Sequence, residues 1–415
     1  MMGGPLPPAA GENTLAPHVG AGFKEIPHSS SRLIRPGSYG ANSQEQGCVS
    51  YSLGSLFLNA MEQMLSVMPR LITRLFYIVV TTVMLSSCVA DMDMQLEDLS
   101  SAPPQIPAHL ITEMRQKGMT PEGAVLVRIF KQESELEVWK IDQSGSFALL
   151  RTYPMCRWSG KLGPKTKTGD RQAPEGFYHV SAGMLNPKSQ YYVSFNLGYP
   201  NRLESALGYT GEALMVHGAC SSSGCYALTD QGVGEIYALV AKALSSGQDR
   251  VQVQAYPFRM TRENMVRHSG DTNMPFWRTL KEGYDAFAFT RRQPKVNTCG
   301  RRYVFNTEFQ GGDPKDPLVD CPAALPPSDP QLALRLAAER ARLDAALAVP
   351  PGVPVNAYVD GGMHPGFRAL LKKNGAEQLA ASVSAIKYPV SQPRAALADP
   401  YEPPRQHKGL ELQKH

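Results

Sequence analysis

Residues 213–225 set the tightest constraint on how this chain can fold. The apolar run Ala213-Leu214-Met215-Val216 reads as a strand that delivers His217. The small residues Gly218, Ala219, Cys220, Ser221, Ser222, Ser223 and Gly224 then make a loop, and Cys225 stands eight positions after the histidine, just ahead of a helical pattern. The pattern points to a nucleophile and its base. A thiol of ordinary pKa, near ~8.5, is only slightly ionised at neutral pH, and the thiolate is the attacking form. A neighbouring imidazole can take that proton and later return it to a leaving amine. Gly224 permits a tight turn, after which the amides of Ser223, Gly224 and Cys225 converge on a developing oxyanion. Taken alone, a cysteine is as often a small buried hydrophobe, and a strand-end histidine a core residue with a satisfied backbone bond.

Composition narrows the alternatives. Of 415 residues, 34 are Pro and 36 Gly, with the prolines concentrated at the two ends, so the packed part is smaller than the length implies. The net charge of +5 is mild, and no Lys/Arg block alternates with aromatics, so nucleic acid is not an expected partner. The seven cysteines, at 48, 88, 156, 220, 225, 299 and 321, contain no Cys-x-x-Cys pair, and no histidines recur at i, i+4. No metal or cofactor is expected.

Along the middle of the chain the periodicity is mostly that of strands. Residues 124–130, 135–141 and 147–153 are β-branched and aromatic runs separated by turn residues, which predicts a meander. A short helix over 106–117 precedes them. Residues 160–176, rich in Gly, Pro and Lys, form a long loop; 191–195, 213–216, 251–256 and 303–305 read as further strands. A helix capped by Asp230 buries Val233, Ile236, Tyr237, Val240 and Leu244 on one face and ends at Gly247. Short helices are expected over 261–268 and 275–281, the second stopped by Gly283. Asp329-Pro330 opens an Ala/Leu/Arg helix to 348, with Leu332, Leu336, Leu343 and Leu347 on one stripe.

The ends differ in character. Arg70 and Arg74 precede the uncharged apolar run 75–84, and Leu85-Ser86-Ser87-Cys88 closes it. This is the layout of a secretory signal, too short to span a bilayer, which takes about 20 residues. The last four residues resemble a bacterial lipobox, which implies lipidation of Cys88 and a mature chain that starts there. The competing interpretation of 75–84 is a buried core helix. Residues 68–87 are thus expected to be a lipoprotein signal peptide and 1–67 a non-native leader or disordered, with translation starting at Met61, Met64 or Met68. Residues 88–120 read as a tether, and 307–415 as a Pro/Ala-rich tail, helical and disordered, dispensable for the chemistry beyond about residue 310.

The nonapeptide 217–225, His-Gly-x-Cys-x-Ser-x-Gly-Cys, resembles the signature of L,D-transpeptidase (YkuD-type) catalytic domains, and its short loop resembles that of the YafK-like branch. Four further segments agree: Cys156-Arg157-Trp158-Ser159-Gly160-Lys161-Leu162-Gly163-Pro164-Lys165; Gly169-Asp170 with Pro174-Glu175-Gly176-Phe177-Tyr178; Ser194-Phe195-Asn196-Leu197-Gly198-Tyr199-Pro200-Asn201; and Tyr256-Pro257-Phe258-Arg259-Met260. The resemblance covers roughly 120–306, with the catalytic domain drawn at 121–306. It implies a mostly β (α+β) fold, a sandwich of mixed sheets with flanking helices.

It further implies Cys225 as nucleophile and His217 as proton donor and acceptor, oriented by a backbone carbonyl. Ser223 and Gly224 would hold the oxyanion, and Gly218, Ser222, Lys165 and Arg259 are substrate-binding candidates. The implied substrate is the meso-diaminopimelate stem peptide of peptidoglycan, handled through a thioester, with an amine acceptor for cross-linking or lipoprotein attachment. Water as acceptor gives a hydrolase that detaches lipoprotein, and a non-catalytic wall-binding lipoprotein is a third reading. The implied setting is the periplasmic side of a bacterial envelope, with a lipid-anchored N-terminus. Cys220 has three options: a bond to Cys225, a packed thiol, or a bond to Cys156. Cys299 and Cys321 form a plausible pair.

Overall fold

The computed structural model describes residues 103–348 and 361–384. The signal-like run, Cys88 and the Pro-rich end after 384 lie outside the described residues. Helix α1 (Ala108–Gln116) leads into the expected meander, β1 (Val125–Phe130), β2 (Glu135–Ile141) and β3 (Phe147–Pro154). These strands join β5 (Gly176–Val180) and β10 (Val251–Tyr256) in a five-stranded sheet of order β3-β2-β1-β10-β5. β1 runs parallel to β10, with Val127 opposite Val253, and the other pairs are antiparallel. β1 and β10 are buried at every position. Side chains on opposite faces of a strand need separate cover. Leu126, Trp139 and Phe147 meet Phe287, and the other face joins the main core through Val125, Val127 and Ile129.

The second sheet is built of shorter pieces: β4 (Arg157–Trp158), β6 (Leu185–Ser189), β7 (Tyr192–Asn196), β8 (Met215–His217) and β9 (Tyr226–Ala227), in the order β4-β9-β8-β7-β6. Its one parallel pair, β8 with β9, sets Val216 opposite Tyr226 and His217 opposite Ala227. Between β7 and β8 lies the five-residue helix α2 (Arg202–Ala206), started by a reciprocal cap between Asn201 and Glu204. Helix α3 (Asp230–Ser245) contacts β1 and β10 of the first sheet and β7 and β8 of the second. The architecture is therefore two mixed sheets with flanking helices, as expected.

Two local expectations change. Thr229, not Asp230, caps α3, its hydroxyl accepting from the Gly232 amide at 3.0 Å. After α4 (Arg262–Arg267), α5 runs from Met274 to Thr290 and passes straight through Gly283. A Cβ at 283 would stand 2.5 Å from the rings of Phe177 and Phe305, so this glycine serves close packing rather than termination. The hairpin β11 (Val296–Cys299) and β12 (Arg302–Phe305) lies against α5 and is tied to the following segment by Cys299–Cys321.

Helix α6 (Pro330–Leu347) is capped by Asp329 as its sequence predicts, although of its leucine stripe only Leu343 is buried. The tail then supplies two helices that its composition did not reveal, α7 (Pro365–Asn374) and α8 (Ala376–Val383). Phe367, Leu371, Leu379 and Val383 form a small apolar cluster with Met363 around Cys156 and Cys220. Among the described residues no helix is long and apolar enough to cross a membrane.

Candidate active site

His217 and Cys225 come together through the β8–β9 register. With Val216 opposite Tyr226, the preceding pair is Met215 and Cys225, and His217 lies two residues further along β8. Side chains two apart on a strand share a face, so Cys225 and His217 are diagonal neighbours on one face of the pair. The Met215 amide donates to Cys225 Sγ at 3.4 Å, and the thiol approaches the Ala213 carbonyl at 3.9 Å. Ala213 holds a left-handed φ of 56°.

His217 is buried, and its Nδ1 bonds the Gly218 carbonyl at 2.7 Å. A carbonyl only accepts, so Nδ1 carries the hydrogen and Nε2 is the basic nitrogen of the neutral ring. Tyr191 covers the imidazole, ring centroids 4.7 Å apart. Burial lowers the imidazole pKa below 6.5, against the opposing pull of the Gly218 carbonyl. Burial also raises the Cys225 thiol above 9.0, against the Met215 amide and the Lys165 charge, which favour the thiolate. Both shifts favour the neutral forms, thiol and imidazole.

The loop between them is held from several sides. Ser222 Oγ donates to the Cys225 carbonyl at 2.7 Å and receives the Cys225 and Gly224 amides at 3.1 and 3.3 Å. Ser159 Oγ shares a further bond with it at 3.1 Å. Gly224 takes φ 139°, a conformation that favours glycine. Gly218 has no room for a side chain: a Cβ there would lie 2.5 Å from Asp230 Oδ1 and 2.8 Å from the Tyr191 carbonyl. Cys220 is joined to Cys156, which leaves Cys225 as the free cysteine of the described residues. Of the three options for Cys220, the bond to β4's edge is the one realised. Ser223 is exposed at the loop tip.

Of the other candidates, Lys165 is buried beside the site, its ammonium on Asp170 at 2.5 Å and on the Lys167 carbonyl at 2.8 Å. Lys161, Lys167 and Arg171 are exposed. Asp170 organises that loop. Burial works to raise its carboxyl, but Lys165 and the amides of Lys167, Gln172 and Thr166 prevail and hold it below 3.8. Arg259 sits apart in an acidic cluster, donating to Glu137 at 2.6 Å and Glu135 at 2.5 Å, with its guanidinium over Phe130. His268 bonds Gln132 and stacks on Phe258, and Glu212 is exposed. Among the described residues no cluster of metal ligands occurs.

Sequence reasoning missed Glu175, Tyr191 and Asp230. Glu175 is fully buried and binds Lys131 at 2.8 Å, Trp277 Nε1 at 2.8 Å and the Gly163 amide at 2.7 Å, pinning the 160–176 loop to the core. The Pro-Glu-Gly motif was visible, but not its buried lysine partner 44 residues away. Asp230 has the sequence signature of a cap, because acidic residues favour helix starts.

A buried, carbonyl-anchored imidazole and a free thiol on one face of a short strand pair make an arrangement that can support cysteine-centred acyl transfer. Comparison with known proteins specifies the family. The model of the YkuD L,D-transpeptidase catalytic domain matches residues 125–253, a span from β1 into β10 that includes His217 and Cys225. Over 180 residues the chain is 47% identical to the Escherichia coli (strain K12) protein named "Putative L,D-transpeptidase YafK", covering 43% of this chain and 73% of that one. The Escherichia coli O157:H7 protein of the same name matches to the same extent.

Among solved structures, the chain is similar to the helical cell shape determining protein Pgp2 from Campylobacter jejuni at 18% identity and TM-score 0.27, over 45% of this chain and 79% of that chain. Bd1075 of Bdellovibrio bacteriovorus is similar at 16% identity and TM-score 0.24, over 45% and 64%. The chain belongs to the L,D-transpeptidase family with the YkuD catalytic domain. It is an enzyme of that class, with peptidoglycan as its substrate class.

Proposed function

We propose that the protein acts on the tetrapeptide stems of peptidoglycan through a thioester on Cys225. The observation that carries this is the pairing of the free Cys225 with an imidazole whose Nδ1–H is committed to Gly218. Sγ attacks the carbonyl on the L-centre of meso-diaminopimelate while His217 Nε2 takes the thiol proton. The tetrahedral oxyanion draws the Gly224 and Cys225 amides, whose bonds to the neutral Ser222 hydroxyl are long and weaker than bonds to an anion. The C–N bond to the terminal D-alanine then breaks, and His217 returns the proton to the departing amine. An acceptor amine attacks the thioester, gives its proton to His217, and Sγ leaves to recover that proton. The product is a cross-link or an attached lipoprotein.

The resemblance to the YafK-like branch supports a second reading, in which water takes the place of the amine and lipoprotein is detached. Cys225 stands outside both disulfides, which weighs against a merely wall-binding protein whose cysteines are all structural. Lys165, with its charge reaching Cys225, and Gly218, which seats the imidazole, are proposed to shape the site rather than to grip substrate. Arg259, held by its carboxylates, is proposed to support the sheet. The setting proposed is the periplasmic face of the envelope, with a lipid on Cys88. N-terminal mass analysis of membrane-extracted protein checks that part, and a mature chain that retains residues before Cys88 contradicts it. For the activity, purified sacculi are digested with and without the protein and the muropeptides separated by mass. New cross-linked stems support transfer, shortened or lipoprotein-free stems support hydrolysis, and an unchanged profile overturns both.

A further inference from the structure

The carbonyl that holds His217 belongs to a peptide group that is itself held from behind. Gly218 C=O and Ala219 N–H are the two ends of one planar unit and turn together. The imidazole occupies the carbonyl end at 2.7 Å, and Asp230 Oδ1 accepts from the amide end at 2.9 Å. Asp230 is buried in the first turn of α3, freed from capping duty by Thr229. Its other oxygen, Oδ2, receives the hydroxyl of Ser384 at 2.9 Å. Ser384 ends the described tail, well outside the span that matches the family's catalytic domain.

The tail segment reaches this point along a defined path. Gly362 exchanges both backbone bonds with Trp158 at 3.1 Å, and the His364 amide donates to the Met155 carbonyl at 3.0 Å. The apolar sides of α7 and α8 then cover the Cys156–Cys220 disulfide. The loop under this strap needs restraint, because Ala219 and Cys220 hold consecutive left-handed φ values of 63° and 48°. Such residues persist only where the surroundings over-determine them.

We propose that Asp230 is a positioning residue for His217, acting through the Gly218–Ala219 peptide, and that the C-terminal strap completes the arrangement through Ser384. A carboxylate on the amide end fixes the rotation of the peptide plane. It also polarises the carbonyl, which strengthens its hold on Nδ1–H and keeps Nε2 the basic nitrogen. The aspartate thus does at one peptide's remove what a directly bonded carboxylate does for other catalytic histidines. Removing the tail disturbs the site in this account, in contrast to the expectation that everything past about residue 310 is dispensable.

The inference rests on His217 serving as the base of Cys225, and the test separates the two claims. Full-length Asp230→Ala, Asp230→Asn, Ser384→Ala, the double variant Asp230→Ala/Ser384→Ala and His217→Ala are compared in two substrate-free measurements. These are the rate of Cys225 alkylation by iodoacetamide near neutral pH and the imidazole tautomer by nitrogen NMR with labelled histidine. Asp230→Ala is expected to lose the uniform Nδ1–H signature of His217 and to slow alkylation, and in a separate muropeptide assay to lower turnover roughly 10²-fold, as for misplaced catalytic groups generally. Asp230→Asn keeps an acceptor for the Ala219 amide and is expected to fall in between. Ser384→Ala is expected to shift both readouts in the same direction by a smaller factor, and to add nothing in the Asp230→Ala background. A folded Asp230→Ala with native tautomer and alkylation rate overturns the inference. If that variant does not fold, unchanged readouts in both Asp230→Asn and Ser384→Ala overturn it. If His217→Ala itself leaves alkylation unchanged, the base assignment fails instead.

Discussion

The two sheets of this sandwich divide the work differently. In the first, β1 and β10 are buried along their whole length, and ladder pairs continue for five or six registers. In the second, β4 and β9 are two residues each, β8 is three, and the intervening chain turns through left-handed residues at 213, 219 and 220. The first sheet takes its geometry from ladders and apolar burial, which many residues share. The second takes it from a few specific ties: a disulfide, the Ser222 hydroxyl, the Asp230 carboxylate and the strap over β4. A loop positioned by few ties can present strained backbone and a reactive thiol, provided that the neighbouring sheet carries the stability.

Substitutions that touch one region and spare the other test this division, beginning with the largest effect. His217→Ala should lower the turnover rate by roughly 10²–10⁴, the usual worth of a general base, while thermal unfolding stays near the wild-type midpoint. A comparable loss of stability would place the histidine among the core residues. Glu175→Gln should do the reverse. It leaves Lys131 buried with its charge uncompensated, at about 3–5 kcal/mol of stability by denaturant titration. Next comes reduction of the Cys156–Cys220 bond, whose ends are 64 residues apart. Its loss, made specific by Cys156→Ser with Cys220→Ser, should cost about 2–4 kcal/mol and should also slow Cys225 chemistry, since the bond anchors the loop. An unchanged alkylation rate would mean that the remaining ties suffice.

The smallest effect is in pH dependence. Since His217 must be neutral to take a proton and burial depresses its pKa, the acid limb of turnover should fall below 6.5. Activity is retained down to that limb and lost as the ring protonates beneath it. A limb at or above 6.5 contradicts a buried base.

The same division governs what could be read from the chain. β1, β2 and β3 announce themselves by β-branched runs between turns, and α3 by its apolar face. Two-residue strands such as Arg157–Trp158 carry no period at all, and they exist because partners elsewhere complete them. His217 and Cys225 were legible because local spacing on one motif brings them together. Asp230 was visible only as a helix-start residue, since its role depends on a peptide eleven positions back and a serine 154 positions ahead. Gly283 looked like a stop because the rings of Phe177 and Phe305 that require it are distant in sequence. The helices Pro365–Asn374 and Ala376–Val383 sit in a Pro-rich tail low in bulky apolar residues, and their apolar sides are covered by packing on each other and on the disulfide.

Covalent capture by a β-lactam decides whether Cys225 is the nucleophile. The non-reduced full-length protein is incubated with a carbapenem-type β-lactam, which acylates active-site thiols, and its intact mass and modified peptide are determined. One adduct per chain is expected, on the peptide that contains Cys225, absent in Cys225→Ala and slowed in His217→Ala, with Cys156 and Cys220 still joined. An adduct that persists in Cys225→Ala, or one that maps to Cys220, contradicts it.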